Sequence, residues 1–129
     1  MMTLKRERVS AKLVVVALTV SGGLISGGSA VAHDIDNCGQ EATCIWAYNN
    51  YQNRVAQKGE GDGAFRYVGD AANNRNSSWA NNSENMNSCG ADYLAGDGDR
   101  QTWAIDGHDP DQAPWNDNEV SSWRTQYGC

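Results

Sequence analysis

Residues 117–123 read Asp117-Asn118-Glu119-Val120-Ser121-Ser122-Trp123, and residues 73–79 read Asn73-Asn74-Arg75-Asn76-Ser77-Ser78-Trp79. Both runs carry two Asn or Asp side chains, two variable residues, a Ser pair and a Trp, and they lie 44 positions apart. A block that recurs at such a period marks two copies of one supersecondary unit, each too small to bury its apolar face alone. The polar side chains of the shared pattern are amides, a carboxylate and hydroxyls, all oxygen donors. Hard oxygen ligands are what Ca²⁺ selects, roughly six to eight of them, with backbone carbonyls and water completing the number. The competing reading is structural, since Asn, Asp and Ser also close turns in proteins that bind nothing.

The pattern N/D-N/D-x-x-S/T-S resembles the calcium motif of the microbial βγ-crystallin domains, in which each motif ends one Greek key. Secreted bacterial members of that superfamily are grouped with peptidase inhibitor family I36. The resemblance runs roughly from Cys44 to Trp123 and implies an all-β fold, two Greek keys in a βγ-crystallin-like sandwich. The aromatic-rich first strand of the family is matched by Trp46, Tyr48 and Tyr51. Asn53 stands where the family has a Gly in a fold-over hairpin, and Asn is the next residue most tolerant of a left-handed backbone. Trp115, just before the second motif, is also similar to the family.

The resemblance implies a ligand set. The leading Asn/Asp of a motif gives a side-chain oxygen, the third residue its carbonyl and the fifth a hydroxyl, with ligands from both motifs shared between two sites. These roles fall on Asn73, Asn74, Arg75 and Ser77, and on Asp117, Asn118, Glu119 and Ser121. Ser78 and Ser122 are assigned instead to hydrogen bonds within the fold-over hairpins. The first leading pair holds no carboxylate and the second holds Asp117, so few formal charges face a cation. That points to weak binding, on the order of 10⁻⁴ M. Asn76 departs from the small or apolar residue usual at the fourth position.

Residues 1–32 read as an export signal. Lys5, Arg6, Arg8 and Lys12 form a basic start, Leu13 to Ile25 an apolar core, and Ala30-Val31-Ala32 an A-x-A cleavage site. A membrane anchor is the alternative, but the apolar run is short of about 20 residues and ends in Gly and Ser. The remaining 97 residues, 33–129, make one small domain, expected to be secreted and monomeric. It carries six Lys/Arg against fifteen Asp/Glu, a net charge of −9. That balance disfavours nucleic acid and anionic membranes and favours cations or a basic patch on another protein. Aliphatic residues are scarce, so Trp46, Trp79, Trp103, Trp115 and Trp123 with five Tyr are expected to supply much of the core.

Cys38, Cys44, Cys89 and Cys129 all follow the cleavage site, and four cysteines in an exported domain imply two disulfides with three possible connectivities. The pairing favoured is Cys38–Cys44, which closes a short loop ahead of the first strand as in similar family members, with Cys89–Cys129. Zinc is the competing reading, but there is no C-x-x-C pair and His33 and His108 stand alone.

Strands are expected from Cys44, over Val55 to Lys58, over Ala64 to Val68, and from Trp79. Asn81 to Ser88 reads as a polar linker; its N-x-S sequon, like that at Asn76, is taken as accidental in a chain resembling bacterial proteins. In the second half the aromatic hairpin is not reproduced. Tyr93 and Leu94 are the candidate strand residues there, Gln101 to Ile105 reads as a strand, and Asp106 to Pro114 as a loop stiffened by Pro110 and Pro114.

Other chemistry finds little support. Gly59 to Gly63 lacks the Gly-Lys-Ser/Thr sequel of a phosphate loop. The carboxylates Asp97, Asp99, Asp106, Asp109 and Asp111 form no EF-hand, because Thr102 stands where its Gly belongs, and they read as a solvated acidic face. No nucleophile has a base at a recognisable spacing, so no enzyme is expected. The resemblance implies a peptidase inhibitor of the I36 kind, with an extracellular protease as partner and the segments Gln57 to Ala64 and Asp106 to Pro114 as candidate inhibitory loops. The alternative is a calcium-stabilised structural or surface-interaction module with no protease target.

Overall fold

The computed structural model describes residues 34–129, and the predicted export signal and His33 lie outside them. Eight strands follow in chain order: β1 Ala42–Tyr48, β2 Gln52–Gly59, β3 Arg66–Tyr67, β4 Ser78–Asn81, β5 Ser88–Ala91, β6 Arg100–Trp103, β7 His108–Asp109 and β8 Ser122–Arg124. Short 3₁₀ turns occupy Asp34–Asn37 and Leu94–Gly96. The strands form two antiparallel sheets, in the orders β2-β1-β4-β7 and β3-β8-β5-β6. Each half of the chain thus keeps three strands in its own sheet and sends its third, β3 or β7, to the edge of the other. This exchange makes two interlocked Greek keys of the four-strand units that the repeat implied.

The hairpin after β1 folds over on residues that accept a left-handed backbone. Asn50, Tyr51 and Asn53 have φ of 56°, 58° and 57°, so the Asn that replaces the expected Gly does adopt the conformation a Gly would. Ser78 fastens this fold: its Oγ donates to the Tyr48 carbonyl at 2.8 Å and accepts from the Tyr51 N–H at 3.2 Å. Ser122 does the same for the second hairpin, donating to the Tyr93 carbonyl at 2.5 Å and accepting from the Gly96 N–H at 3.0 Å. The two sixth-position serines therefore have the structural duty assigned to them.

The core has two layers. Between the sheets lie Ile45, Val68, Ala72, Trp103, Val120 and Trp123, with Trp79 stacked on Trp103 at 5.7 Å. A second cluster, Cys38, Ala42, Cys44, Trp46, Tyr51 and Ala80, lies on the outer face of β1. Strand β1 is therefore buried on both faces, not half-buried as its alternation implied. The cause is the segment 34–41, which packs over that face through Ile35 and the Cys38–Cys44 disulfide. The second disulfide joins Cys89 to Cys129, so the favoured pairing is the one found.

Three expectations need correction. Trp115 is 73% exposed, and of the five Tyr only Tyr51 is buried, so the aromatic core is smaller than composition implied. The second-half strand is Ser88–Ala91, not Tyr93 and Leu94, which form the exposed tip of its hairpin. It is built of small residues because its neighbours supply the volume. A Cβ on Gly90 would lie 2.7 Å from Trp103 Cζ2 and 3.0 Å from Val120 Cγ2. The expected linker accordingly shrinks at both ends, Asn81 closing β4 and Ser88 opening β5. Finally, the Asp106 to Pro114 loop contains β7, which pairs with β4 through Trp79–Asp109 and Ala80–His108.

Candidate metal centre

The segments 73–77 and 117–121 each lie in the connection that returns from an exchanged strand, β3 to β4 and β7 to β8. That topology brings them face to face. The second residue of each motif is left-handed, Asn74 at φ 52° and Asn118 at φ 59°. Both turns are then cross-linked reciprocally through the backbone. Asn74 N–H donates to the Val120 carbonyl at 3.0 Å, and Asn118 N–H donates to the Asn76 carbonyl at 2.9 Å. The fifth residues are fixed by equivalent strands, Ser77 N–H on the Trp46 carbonyl and Ser121 N–H on the Ala91 carbonyl, both at 2.9 Å.

The side chains cross over in the same way. Ser121 Oγ approaches Asn74 Oδ1 at 3.2 Å, and Ser77 Oγ approaches Asn118 Oδ1 at 3.5 Å. Each hydroxyl thus meets the amide of the opposite motif, giving two centres in which both motifs take part. The leading residues add a further pair of oxygens. Asn73 Oδ1 and Asp117 Oδ1 are both buried and neither has a hydrogen-bond partner. A buried oxygen without a donor costs about 1–3 kcal/mol, so two such atoms at equivalent positions are donors for which a cation is a fitting partner.

The eight residues named from the sequence are thus brought together in two loops. Asn118 Nδ2 also donates to Asp117 Oδ2 at 3.0 Å, which orients the single carboxylate of the leading pairs. Among the described residues no three His, Cys, Asp or Glu side chains converge as a metal-holding group, and no cysteine is free. The converging atoms are amide and hydroxyl oxygens with one carboxylate, a donor set suited to a hard cation and to weak binding.

Two residues of the site were misread or missed. Asn76, the fourth-position departure, is fully buried and works as a brace. Its Nδ2 donates to the Asn116 carbonyl at 3.0 Å and its Oδ1 accepts from Val120 N–H at 2.8 Å, so it holds both ends of the second motif. Its own carbonyl also accepts from Gln112 Nε2 at 3.0 Å. Asp92 lines an open cleft of about 310 Å³ together with Asn74, Tyr93, Asn118, Glu119 and Ser121. Burial pushes its carboxyl above the usual range, an effect partly offset by a backbone hydrogen bond from Asp99. The 44-residue shift of the motifs misses Asp92 by one residue, because the hairpins correspond with Tyr48 on Tyr93 and hence Ala47 on Asp92.

No family model matches the chain, and no curated protein does. Solved structures do share its architecture. One, from work on the evolution of the eye-lens βγ-crystallin domain fold, superposes with a TM-score of 0.55 at 14% identity, covering 67% of this chain and 85% of that one. A βγ-crystallin domain from Flavobacterium johnsoniae gives a TM-score of 0.51 at 17% identity, covering 66% of this chain and 92% of that one. The domain therefore has the βγ-crystallin fold, as the motif resemblance implied. Its two disulfides are of the kind that persist in an oxidising compartment, and no helix of the described residues is long and apolar enough to cross a membrane.

Proposed function

We propose that this is an exported calcium-binding domain that takes up to two Ca²⁺ through its paired motifs and has no catalytic role. The observation that carries the reading is the reciprocal pairing of Asn74 with Ser121 and Asn118 with Ser77, beside the buried, partnerless Asn73 Oδ1 and Asp117 Oδ1. When bound, the cation supplies a cross-link between two loops that are 44 residues apart in sequence. This chain's own part is to hold the oxygens in place: the left-handed Asn74 and Asn118 shape the turns, and the Trp46 and Ala91 carbonyls anchor the serines.

Thermal unfolding of residues 33–129, oxidised, tests the reading in EDTA, in millimolar Ca²⁺ and in Mg²⁺ as the control for charge screening. A tenfold excess over Kd raises stability by about 1.4 kcal/mol. For a domain of this size that is a rise of roughly 5–10 °C. The rise is expected with Ca²⁺ only and is lost in Asp117→Ala/Ser121→Ala. No Ca²⁺-specific shift would leave the motifs as turn structure.

A second reading, inhibition of an extracellular protease, is favoured by the fastening of the Pro-containing loop. Asn50 N–H donates to the Pro110 carbonyl at 2.7 Å, Asn49 Nδ2 to Asp111 at 2.8 Å, and Gln112 N–H to the Ser77 carbonyl at 3.1 Å. A loop held this way loses little freedom on binding. Residual activity of metallo- and serine proteases after stoichiometric addition separates the two: no loss supports the calcium-stabilised module without a protease target.

A further inference from the structure

The two cross-motif centres are alike in geometry and unlike in charge. The Asn118–Ser77 centre has Asp117 in its own leading pair, whereas the Asn74–Ser121 centre has only Asn73 and Asn74, followed by the cationic Arg75. Ligand charge governs calcium affinity, so a centre of amides and hydroxyls alone would bind poorly. A carboxylate is nevertheless delivered to it from outside either motif. The segment 91–93 is tied to the second motif on both sides of Asp92, by Ser121 N–H on the Ala91 carbonyl at 2.9 Å and by Ser122 Oγ on the Tyr93 carbonyl at 2.5 Å. Asp92 shares one open cleft with Asn74 and Ser121, and Asn118 and Glu119 of the second motif line it as well. The first-half counterpart is Ala47, because Ser78 bonds the Tyr48 carbonyl as Ser122 bonds that of Tyr93, and it has no carboxylate to give.

We propose that the Asp92 carboxylate is a calcium ligand of the Asn74–Ser121 centre, supplying from the β5–β6 hairpin the charge that the first motif lacks. The inference rests on the calcium reading above. It makes the two sites independent in their charge: Asp92 serves one and Asp117 the other.

Calorimetric Ca²⁺ titration of the oxidised domain tests it, with Asp92→Asn, Asp117→Asn and, as a control for general surface charge, Asp97→Asn from the same hairpin. Asp92→Asn is isosteric, and melting of each variant in EDTA checks that the fold is kept. The expected result is two sites in the unaltered domain. Asp92→Asn weakens one by at least tenfold and leaves the second unchanged, Asp117→Asn does the converse, and Asp97→Asn changes neither. If the unaltered domain binds Ca²⁺ and Asp92→Asn leaves both sites within twofold, this inference fails while the calcium reading stands. Equal weakening by Asp92→Asn and Asp97→Asn also overturns it, because surface charge would then be the cause. An unaltered domain that takes up no Ca²⁺ overturns both.

Discussion

Asn76→Ala is expected to destabilise the domain more than truncation of any other amide within the motifs, without removing a proposed ligand. The side chain is fully buried and makes two bonds, donating to the Asn116 carbonyl at 3.0 Å and accepting from Val120 N–H at 2.8 Å. Its backbone bonds, to Asn118 N–H and Gln112 Nε2, survive the substitution. Truncation strands the buried Val120 N–H, which costs about 1–3 kcal/mol. It also removes one bond from the part-buried Asn116 carbonyl, which keeps Gln101 Nε2 at 3.5 Å and so loses only about 1 kcal/mol. A loss of about 3 kcal/mol follows, and at about 4–8 °C per kcal/mol for a domain this size the Tm falls by roughly 12–24 °C. Denaturant titration and thermal melts in EDTA measure it, with Asn49→Ala as comparison. Asn49 also donates an amide hydrogen bond, to Asp111 at 2.8 Å, but at the exposed surface, where the loss stays below about 1 kcal/mol. The same variant should also weaken Ca²⁺ binding at the Asn118–Ser77 centre, because residues 116 and 120 bracket its ligands. Parity of the two variants would refute the brace.

The disulfides should differ in weight. Loop-closure entropy assigns about 4 kcal/mol to Cys89–Cys129, which spans 40 residues, and about 2 kcal/mol to Cys38–Cys44, which spans 6. Paired Cys→Ala variants in urea report the order, and the reverse order would show that packing around Cys38 and Cys44 outweighs chain entropy. Gly90→Ala should cost about 1–3 kcal/mol by overpacking against Trp103, whereas Gly59→Ala, where a Cβ meets nothing within 4 Å, should be near neutral. Equal melting temperatures for the two would sink that account. Asp62 sits 2.8 Å from Lys58 and 3.1 Å from Arg66. The Lys58 hydrogen bond, helped by the Ala64 N–H, lowers its carboxyl to about 2. A depressed folded value means that its contribution is present above the ordinary 3.8 and is lost as pH falls through about 2. The melting difference between the unaltered domain and Asp62→Asn should therefore close over that window, and a difference that persists below it would contradict the assignment.

How much of this was legible in the sequence follows from where each signal is carried. The motifs were readable because their chemistry is local: Asn74 and Asn118 need left-handed backbone, the Ser pairs need hydroxyls, and both needs are met by residue type. Strand β5 was not readable, because Ser88-Cys89-Gly90-Ala91 has no apolar periodicity of its own. Its burial is set by Trp103 and Val120, which reach it from β6 and the second motif, and Gly90 is small because they are large. Trp115 misled for the opposite reason, since hydrophobicity gives a side chain a preference for burial and no guarantee that a neighbour exists to cover it. Asn76 read as a flaw because the family pattern at that position is a core residue. Here the core position is kept and the apolar contact is exchanged for two hydrogen bonds.

The exchange of β3 and β7 between the sheets has a consequence for how the loops are held. Each motif follows a strand that belongs to the other sheet, so neither cross-motif pair can form within one Greek key. Both covalent staples lie elsewhere: Cys38–Cys44 pins the approach to β1, and Cys89–Cys129 pins β5 to the C-terminus. The contacts between the loops are weaker. An O–H···O bond is commonly about 2.7–2.8 Å, and the Ser121–Asn74 and Ser77–Asn118 contacts are 3.2 and 3.5 Å. Two reciprocal backbone bonds hold the loops together, Asn74 N–H on the Val120 carbonyl at 3.0 Å and Asn118 N–H on the Asn76 carbonyl at 2.9 Å. The Asn76 side-chain brace adds to them in one direction, because its counterpart Val120 has no polar side chain. The first motif therefore receives no side-chain brace of this kind and is also the one without a leading carboxylate. A cation drawn to it by Asp92 would supply the tie that the Asn76 side chain gives the second motif, and the Ca²⁺-linked rise in stability should owe more to Asp92 than to Asp117.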